Sequence, residues 1–197
     1  MKRVIVLTAL AFMACTPKAE TPASTEAAPA SAPATATADA LTPSGWGALK
    51  IGMTKDEIIA AVGDNSVPGG VGGPDEDVCT EFHPARAPEG LFVMIEDGKL
   101  SRITITELSK LKTADGFALG DDPGAIKTFY QTRATATPHK YQDKPAEYVT
   151  VWDGAPRAEP YVQDPAARGF VYEVDGTGKV GAIHAGGPSI QYVEGCA

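Results

Sequence analysis

Few residues of this chain are of a type and spacing that could carry out catalysis or hold a metal ion. The three histidines, His83, His139 and His184, lie in separate segments. None of them belongs to a recognisable ligand pattern of His, Cys and carboxylate residues, which metal sites place at short, fixed spacings. We therefore predict no catalytic residue, no metal site and no cofactor.

Other motifs are too incomplete to indicate a chemical site. Residues 44–47 lack both the G-x-S-x-G pattern and the preceding strand of a nucleophile elbow. The glycine-rich residues 69–73 lack the Lys-Ser/Thr of a phosphate-binding loop and predict a flexible loop. The acidic clusters at 75–77 and 121–122 lack the EF-hand spacing, so we expect solvated charge there, with Asp122 serving as a helix cap.

Aromatic and cationic residues give the strongest sequence indication of a binding surface, because Trp and Tyr are enriched where proteins meet partners. Five are expected near strand ends and in a proline-rich loop: Trp46, Tyr141, Tyr148, Trp152 and Tyr161. The alternative is that they complete the core of a small sheet domain. A locally positive patch accompanies them: Arg133, His139, Lys140, Tyr141 and Lys144. The residues predicted to bind a partner are Trp46, Arg133, His139, Lys140, Tyr141, Lys144 and Trp152.

The first residues have the pattern of an exported protein. Lys2 and Arg3 precede an apolar run of about ten residues, which is too short to cross a bilayer as a mature helix. The run ends in a small residue followed by Cys15, which resembles the lipobox of bacterial lipoproteins. The resemblance implies a cleaved signal peptide over residues 1–14 and acyl chains such as palmitate on Cys15, which anchor the protein in a membrane. Thr16, where an Asp would favour the inner membrane, implies the periplasmic side of the outer membrane. An ordinary signal with an incidental cysteine is the alternative.

Residues 15–43 are expected to form a disordered tether. They are nearly all Ala, Pro, Thr and Ser, a composition that cannot bury enough apolar surface to offset the chain entropy lost on folding. The remainder is long enough to bury a proper core. Without Lys2 and Arg3, 15 of the 17 basic residues remain against 25 acidic ones, a formal charge of −10. That balance argues against binding nucleic acid or anionic lipid surfaces, both of which favour basic patches.

Two cysteines remain after Cys15, namely Cys79 and Cys196. In an oxidising compartment, two such cysteines most simply form one disulfide. Two free thiols are the alternative. The predicted bond would join the middle of the chain to its last two residues.

Two similar stretches indicate an internal duplication. Residues 49–58 and 117–126 align at a constant offset, with apolar residues at matching positions and Gly52 opposite Gly120. Each stretch leads into a predicted helix. The first helix has the Thr-x-x-Glu pattern of a capping box, and the second has Asp at its cap and Pro at its first position.

Predicted strands follow each helix. Residues 92–100 and 170–180 both carry Asp-Gly between apolar runs, a strong hairpin signal. Further strands are expected at residues 78–82, 147–152 and 189–193. The sequence thus predicts an α+β fold of two tandem helix-plus-three-strand antiparallel repeats, over residues 44–110 and 111–197.

The string at residues 49–63, in which Gly-Met-Thr leads into a helix, resembles the opening of the SmpA/OmlA-type domain. That domain occurs in the small lipoprotein of the outer-membrane β-barrel assembly machinery, and tandem copies of a similar unit occur in secreted β-lactamase-inhibitor-like proteins. The resemblance implies an envelope lipoprotein built on a helix-and-sheet unit. It transfers no partner-binding or inhibitory residue to this chain, and a helix-entry motif informs on fold more than on function.

Three functions are compatible with these patterns. The first is a non-enzymatic binding or scaffold module of the cell envelope that faces the periplasm, attached to the membrane by lipid and serving a protein partner. The second is an inhibitor of a periplasmic or secreted enzyme such as a lysozyme or β-lactamase, which the acidic charge would suit. The third is an enzyme with an unrecognised site, which requires a cleft with convergent polar groups.

Overall fold

The computed structural model describes residues 39–66, 75, 77–157, 159 and 161–197. The predicted signal peptide, Cys15, the predicted tether as far as residue 38, the glycine-rich residues 69–73 and Glu76 lie outside the described residues. The end of the predicted tether is packed into the fold. Leu41 is fully buried, and its backbone exchanges hydrogen bonds with Lys112 and Ala114.

Strands outnumber helices along the described chain. The strands are β1 Gly45–Trp46, β2 Leu49–Lys50, β3 Cys79–Phe82, β4 Leu91–Glu96, β5 Lys99–Ile105, β6 Ala134–Pro138, β7 Glu147–Trp152, β8 Gly169–Val174 and β9 Val180–Gly186. The helices are α1 Lys55–Val62 and α2 Pro123–Tyr130, with 3-10 turns at Gln131–Arg133 and Pro188–Gln191.

Seven strands form one antiparallel sheet in the order β3-β4-β5-β9-β8-β7-β6, while β1 and β2 form a separate two-stranded pair. The centre of the large sheet is the pairing of β5 with β9, in which Ile103 lies opposite Ala185. This pairing joins the strands of the two halves of the chain. No helix among the described residues is long and apolar enough to span a bilayer.

The predicted α+β fold of two helix-plus-three-strand repeats is wrong. The described chain is mostly β, with a continuous seven-stranded sheet and two eight-residue helices. The strand predicted at residues 189–193 is replaced by the 3-10 turn Pro188–Gln191, in which a proline occupies the first turn. Strand β6 was not predicted, because its Ala and Thr residues carry no alternating large apolar side chains.

Both predicted helix caps are present. Thr54 Oγ1 accepts a hydrogen bond from the Glu57 amide, and the Glu57 carboxylate accepts one from the Thr54 amide, which completes the capping box. Asp122 accepts a bond from the Gly124 amide, and Pro123 occupies the first helical position, where it has no hydrogen bond to lose. Ile58 and Val62 of α1 and Ile126 and Tyr130 of α2 lie in the main core, whereas Phe129 of α2 is exposed.

Side chains of alternate residues divide the sheet into two faces with different characters. Val149 and Val151 of β7 lie in the main core with the helices, whereas Tyr148 and Trp152 point to the opposite face. A second, smaller apolar cluster lies on that opposite face and consists of Trp152, Val162, Ala167, Val171 and Ile190. The sheet therefore has a helix face, which is closed by the main core, and an opposite face on which the 3-10 turn Pro188–Gln191 and irregular chain segments pack.

Candidate binding cleft

The C-terminal strap, residues 187–196, crosses the opposite face of the sheet and is held there at several points. Arg102 of β5 donates from Nη1 to the carbonyl oxygens of Ser189 and Tyr192, at 3.3 and 2.9 Å. The strap ends in a disulfide between Cys79 and Cys196, whose Cα atoms are 5.4 Å apart. The strap is thus joined covalently to the edge strand β3 and by hydrogen bonds to the sheet centre.

A second segment, the loop formed by residues 153–157, 159 and 161–168, lies beside the strap and is bonded to it. Gln191 accepts a hydrogen bond from the Val162 amide at 2.9 Å and donates from Nε2 to the Val162 carbonyl at 2.8 Å. The same Nε2 donates to the Pro188 carbonyl at 2.9 Å. The single side-chain amide of Gln191 therefore fixes the loop against the strap.

A cleft of about 170 Å³ lies on the opposite face, between β6–β9, the strap and the loop. Seven of the sixteen residues that line it are aromatic or aliphatic, and the other nine are polar or charged side chains from the strands, the 3-10 turns and the loop. The residues that line it are Arg133, Thr135, Thr137, Tyr148, Thr150, Trp152, Arg157, Glu159, Tyr161, Val171, Glu173, His184, Ile190, Gln191, Tyr192 and Val193. An apolar concavity with a few convergent polar groups is the usual form of a ligand site.

Cations and aromatic rings are combined at this cleft. The Arg157 guanidinium lies 5.9 Å from the centre of the Trp152 ring and 3.7 Å from an Asp164 oxygen. Tyr161 is 45% exposed, so its ring presents a surface that a ligand can contact. Burial raises the pKa of Tyr148, and the nearby Glu173 carboxylate adds to the increase. Tyr148 therefore presents a protonated hydroxyl at neutral pH.

Two residues that line the cleft, Glu173 and His184, form a hydrogen-bonded row with His139, which lies outside the lining. We call these three residues the His-Glu-His row. Glu173 accepts from Nε2 of His139 at 3.1 Å and from Nε2 of His184 at 3.3 Å. The second nitrogen of each ring is also bonded, since Nδ1 of His139 accepts from the Tyr141 amide and Nδ1 of His184 lies 2.9 Å from Thr104 Oγ1. Nε2 of each ring therefore carries a hydrogen and donates to the Glu173 carboxylate.

The titration of the row follows from these bonds. The hydrogen bond from His184 lowers the pKa of Glu173 to about 2, with the bond from His139 acting in the same direction against the effect of burial. Burial lowers the pKa of His184, and the Glu173 bond only partly offsets that effect. At neutral pH Glu173 is therefore a fixed carboxylate between two imidazole N–H groups.

We expect this row to make the protein sensitive to acid. In the unfolded chain Glu173 regains its ordinary pKa near 4.5, so between pH 4.5 and about 2 the unfolded state binds more protons than the folded state. The stabilisation from Glu173 is therefore complete above pH 4.5 and is lost as the pH falls towards 2. Urea unfolding at several pH values should show a steeper fall for the wild type than for Glu173→Gln.

The matched control for this prediction is Glu107→Gln, which removes an exposed carboxylate outside the cleft. Its pH dependence should follow that of the wild type. Parallel curves for the wild type and Glu173→Gln between pH 5 and pH 2 would contradict the assignment of Glu173 as an ionised acceptor.

Six of the seven residues predicted to bind a partner fall into three groups. Arg133 and Trp152 line the cleft, whereas His139 does not line it and is stacked on Tyr148, with ring centres 4.6 Å apart. Lys140 bonds Glu194 of the strap at 2.9 Å, and Tyr141 donates to the same carboxylate. Lys144 lines a second concavity beside the β6–β7 turn.

Trp46 lies apart from this set. Its ring packs against the main core, and its Nε1 donates to the Asp39 carbonyl at 2.9 Å. The cleft also contains residues that sequence reasoning missed, above all Glu173, His184 and Gln191. The one available signal was Glu173 itself, a carboxylate in the middle of an otherwise apolar strand.

The described residues contain no group of three or more His, Cys, Asp or Glu side chains arranged to hold a metal ion. Comparisons with protein-family models, with curated proteins and with solved structures find nothing that matches this chain. The likeness to the SmpA/OmlA-type domain accordingly stays a prediction from the sequence.

Proposed function

We propose that this protein is a non-enzymatic binding module of the bacterial cell envelope and that it takes its ligand in the cleft on the opposite face of the sheet. The observation that carries the proposal is the cleft itself, which combines aromatic walls with a fixed carboxylate and rim cations. The walls come from segments that are bonded to one another. A cleft held in this way loses little conformational entropy when a ligand enters.

The size of the cleft limits what enters it. A volume of about 170 Å³ is close to the roughly 150 Å³ of an apolar cavity that accommodates benzene. One ring or one large side chain therefore fits, and a whole drug-sized molecule does not. The ligand group should carry a hydrogen-bond donor, because the Glu173 carboxylate is 31% exposed and is an acceptor that lines the cleft.

Catalysis is the second candidate, since the cleft does contain convergent polar groups. The bonding of the histidines favours binding over catalysis. A general base needs a free nitrogen within reach of the substrate, but both nitrogens of His139 and of His184 are already bonded. The row therefore suits the positioning of the Glu173 carboxylate better than proton transfer to or from a bound molecule.

The proposed location follows from the N-terminal pattern and not from the fold. Acyl chains on Cys15 would hold the domain at the membrane, most simply on the periplasmic side of the outer membrane, and residues 16–38 would separate it from the lipid surface. A lipid-anchored module of this kind would act on ligands or partners close to the membrane.

The test is to fill the cleft and measure what the protein still captures. In Thr150→Trp a large ring would occupy the middle of the cleft, where Thr150 is half-buried. Protein isolated from native membranes would be analysed by mass spectrometry for bound small molecules, glycans and crosslinked proteins. We expect Thr150→Trp to capture at least about tenfold less of the ligand than the wild type does, which corresponds to a loss of about 1.4 kcal/mol of binding energy.

The matched control is Leu108→Trp, which adds the same ring at a position that is 54% exposed and outside the cleft. It should capture the ligand as the wild type does. Tyr161→Ala removes a wall without adding volume and checks that a loss in Thr150→Trp does not reflect misfolding. Equal capture by all four proteins, or no capture by any of them, would contradict the proposal. Chemical conversion of the captured ligand would favour the second candidate, an enzyme.

A further inference from the structure

Strand β6 is an outer edge of the large sheet, and among the described residues its only strand partner is β7. Four of its five residues, Thr135–Pro138, are exposed, and none of the five carries a charge. Exposed edges are commonly protected by charged side chains, because an open edge pairs readily with another chain. The uncharged edge of β6 therefore lacks this protection, and it lies beside the cleft.

The ladder shows which backbone groups of β6 face outward. The His139 amide donates to the Ala146 carbonyl, one position beyond the paired residues Pro138 and Glu147. Bonded and non-bonded pairs alternate along antiparallel strands. Thr137 and Thr135 therefore exchange hydrogen bonds with β7, and the residues between them direct their backbone groups away from the sheet.

The outward groups are mostly acceptors. Ala134, Ala136 and Pro138 each present a carbonyl oxygen. The Ala134 amide already donates to the Gln131 carbonyl, and Pro138 has no amide hydrogen. One N–H group, that of Ala136, and three carbonyl groups are thus left for an added strand.

The one donor and three acceptors on the outer side of β6 determine which kind of chain can pair with it. A second copy of β6, paired antiparallel about a twofold axis at Ala136, would form only the two bonds at that residue. The Ala134 carbonyl of one copy would lie opposite Pro138 of the other copy, and neither of these residues has a free N–H group to donate. A peptide of different sequence supplies the missing N–H groups, and its three alternate non-proline residues would form four bonds.

Side-chain sites exist on both sides of such a strand, as strand addition requires. Thr135 and Thr137 line the cleft on the opposite face, and Ala136 and Pro138 line the second concavity on the other side of β6. Positive charge lies at both ends, at Arg133 before the strand and at Lys144 in the turn after it. Acidic flanking residues would suit these ends.

We propose that β6 binds an extended, neutral to acidic peptide by strand addition, with one of its side chains directed towards the cleft. This inference rests on the proposed function and names the partner class for that site. Affinity would come from the four main-chain bonds, and specificity from the side chains that enter the two concavities.

The experiment uses a phage-displayed random heptapeptide library panned on the full-length protein in detergent micelles, followed by synthesis of an enriched peptide. Ala136→Pro removes the outward donor and leaves the bonds to β7 intact. This substitution should weaken peptide binding about tenfold or more, because the hydrogen bond from the Ala136 amide is lost and a peptide carbonyl is left unpaired. Ala136→Val keeps the N–H group at the same position and is the matched control.

Amide hydrogen exchange gives a second measurement on the unmodified protein. The Ala136 amide should exchange rapidly in the free protein and slowly with peptide bound, and a peptide N-methylated at its three donor positions should not bind. Failure to enrich any peptide, equal binding by Ala136→Pro, or a protected Ala136 amide in the free protein would each overturn the inference. Capture of the native ligand distinguishes the two proposals. If only Thr150→Trp loses the ligand, the cleft binds it and strand addition does not contribute. If only Ala136→Pro loses the ligand, strand addition binds it and the cleft does not contribute.

Discussion

Replacing Cys79 and Cys196 together by Ala will lower the free energy of unfolding by up to about 4–5 kcal/mol. The two residues are 117 positions apart, and the stabilisation by a crosslink grows with the length of chain that it closes, reaching about 4.7 kcal/mol for a 100-residue loop. A domain of ordinary stability has about 5–15 kcal/mol in total, so the loss would be a large fraction of it. Urea unfolding followed by far-ultraviolet circular dichroism measures this difference.

Reduction supplies the control for the disulfide prediction. A thiol reductant should bring the wild type to the stability of the double variant and should leave the double variant unchanged. The loss should also be visible locally as faster amide exchange in the C-terminal strap, for example at Gly195. A double variant as stable as the oxidised wild type would contradict the entropic account.

Arg102→Met will destabilise the protein by about 3–5 kcal/mol, the usual result of removing one partner of a buried ion pair. Arg102 is 4% exposed and pairs with Glu81, so its removal leaves a carboxylate without a counter-charge in the sheet face. It also removes the donors to the carbonyls of Ser189 and Tyr192. Because the guanidinium is buried, desolvation lowers the pKa of Arg102, and the Glu81 carboxylate opposes that effect.

The measurement is again urea unfolding, with Glu81→Gln and the double variant completing a double-mutant cycle. The double variant should be more stable than Arg102→Met, because it no longer buries an unpaired charge. The strap carbonyls would still lack their donors, so recovery should be incomplete. A cost below about 1 kcal/mol, the value of an exposed ion pair, would show that the pair is solvated.

Much of the local structure could be predicted from the sequence. The capping patterns at Thr54 and Asp122 and the Asp-Gly turn of the β4–β5 hairpin depend on neighbouring residues and appear where expected. The joining of the two halves depends on β5 meeting β9, which are about 80 residues apart, and no local pattern encodes that contact. The predicted duplication left open whether the sheets of the two copies join, because each half taken alone contains its own set of predicted strands.

The residues of the cleft likewise divide into those that the sequence could indicate and those that depend on contacts between distant strands. Trp152 and Arg133 could be singled out by residue type, and both line it. Glu173 and His184 could not, because their roles come from cross-strand neighbours, with Thr104 lying 80 positions from the imidazole it contacts. A lone histidine in a strand gives no sign of a carboxylate on the adjacent strand. Sequence patterns locate polar residues on a sheet face, but only the strand order brings them together.

The long separation in sequence between the paired elements has a consequence for biogenesis. As the polypeptide is made from its N-terminus, β5 keeps an unpaired side until residues 180–186 arrive, and Cys79 waits for a partner 117 positions later. Non-local pairing of this kind slows folding and prolongs exposure of unpaired strands. The nascent domain should therefore depend on holding factors until β9 and Cys196 emerge, and a chain that stops before Cys196 would leave Cys79 without its partner.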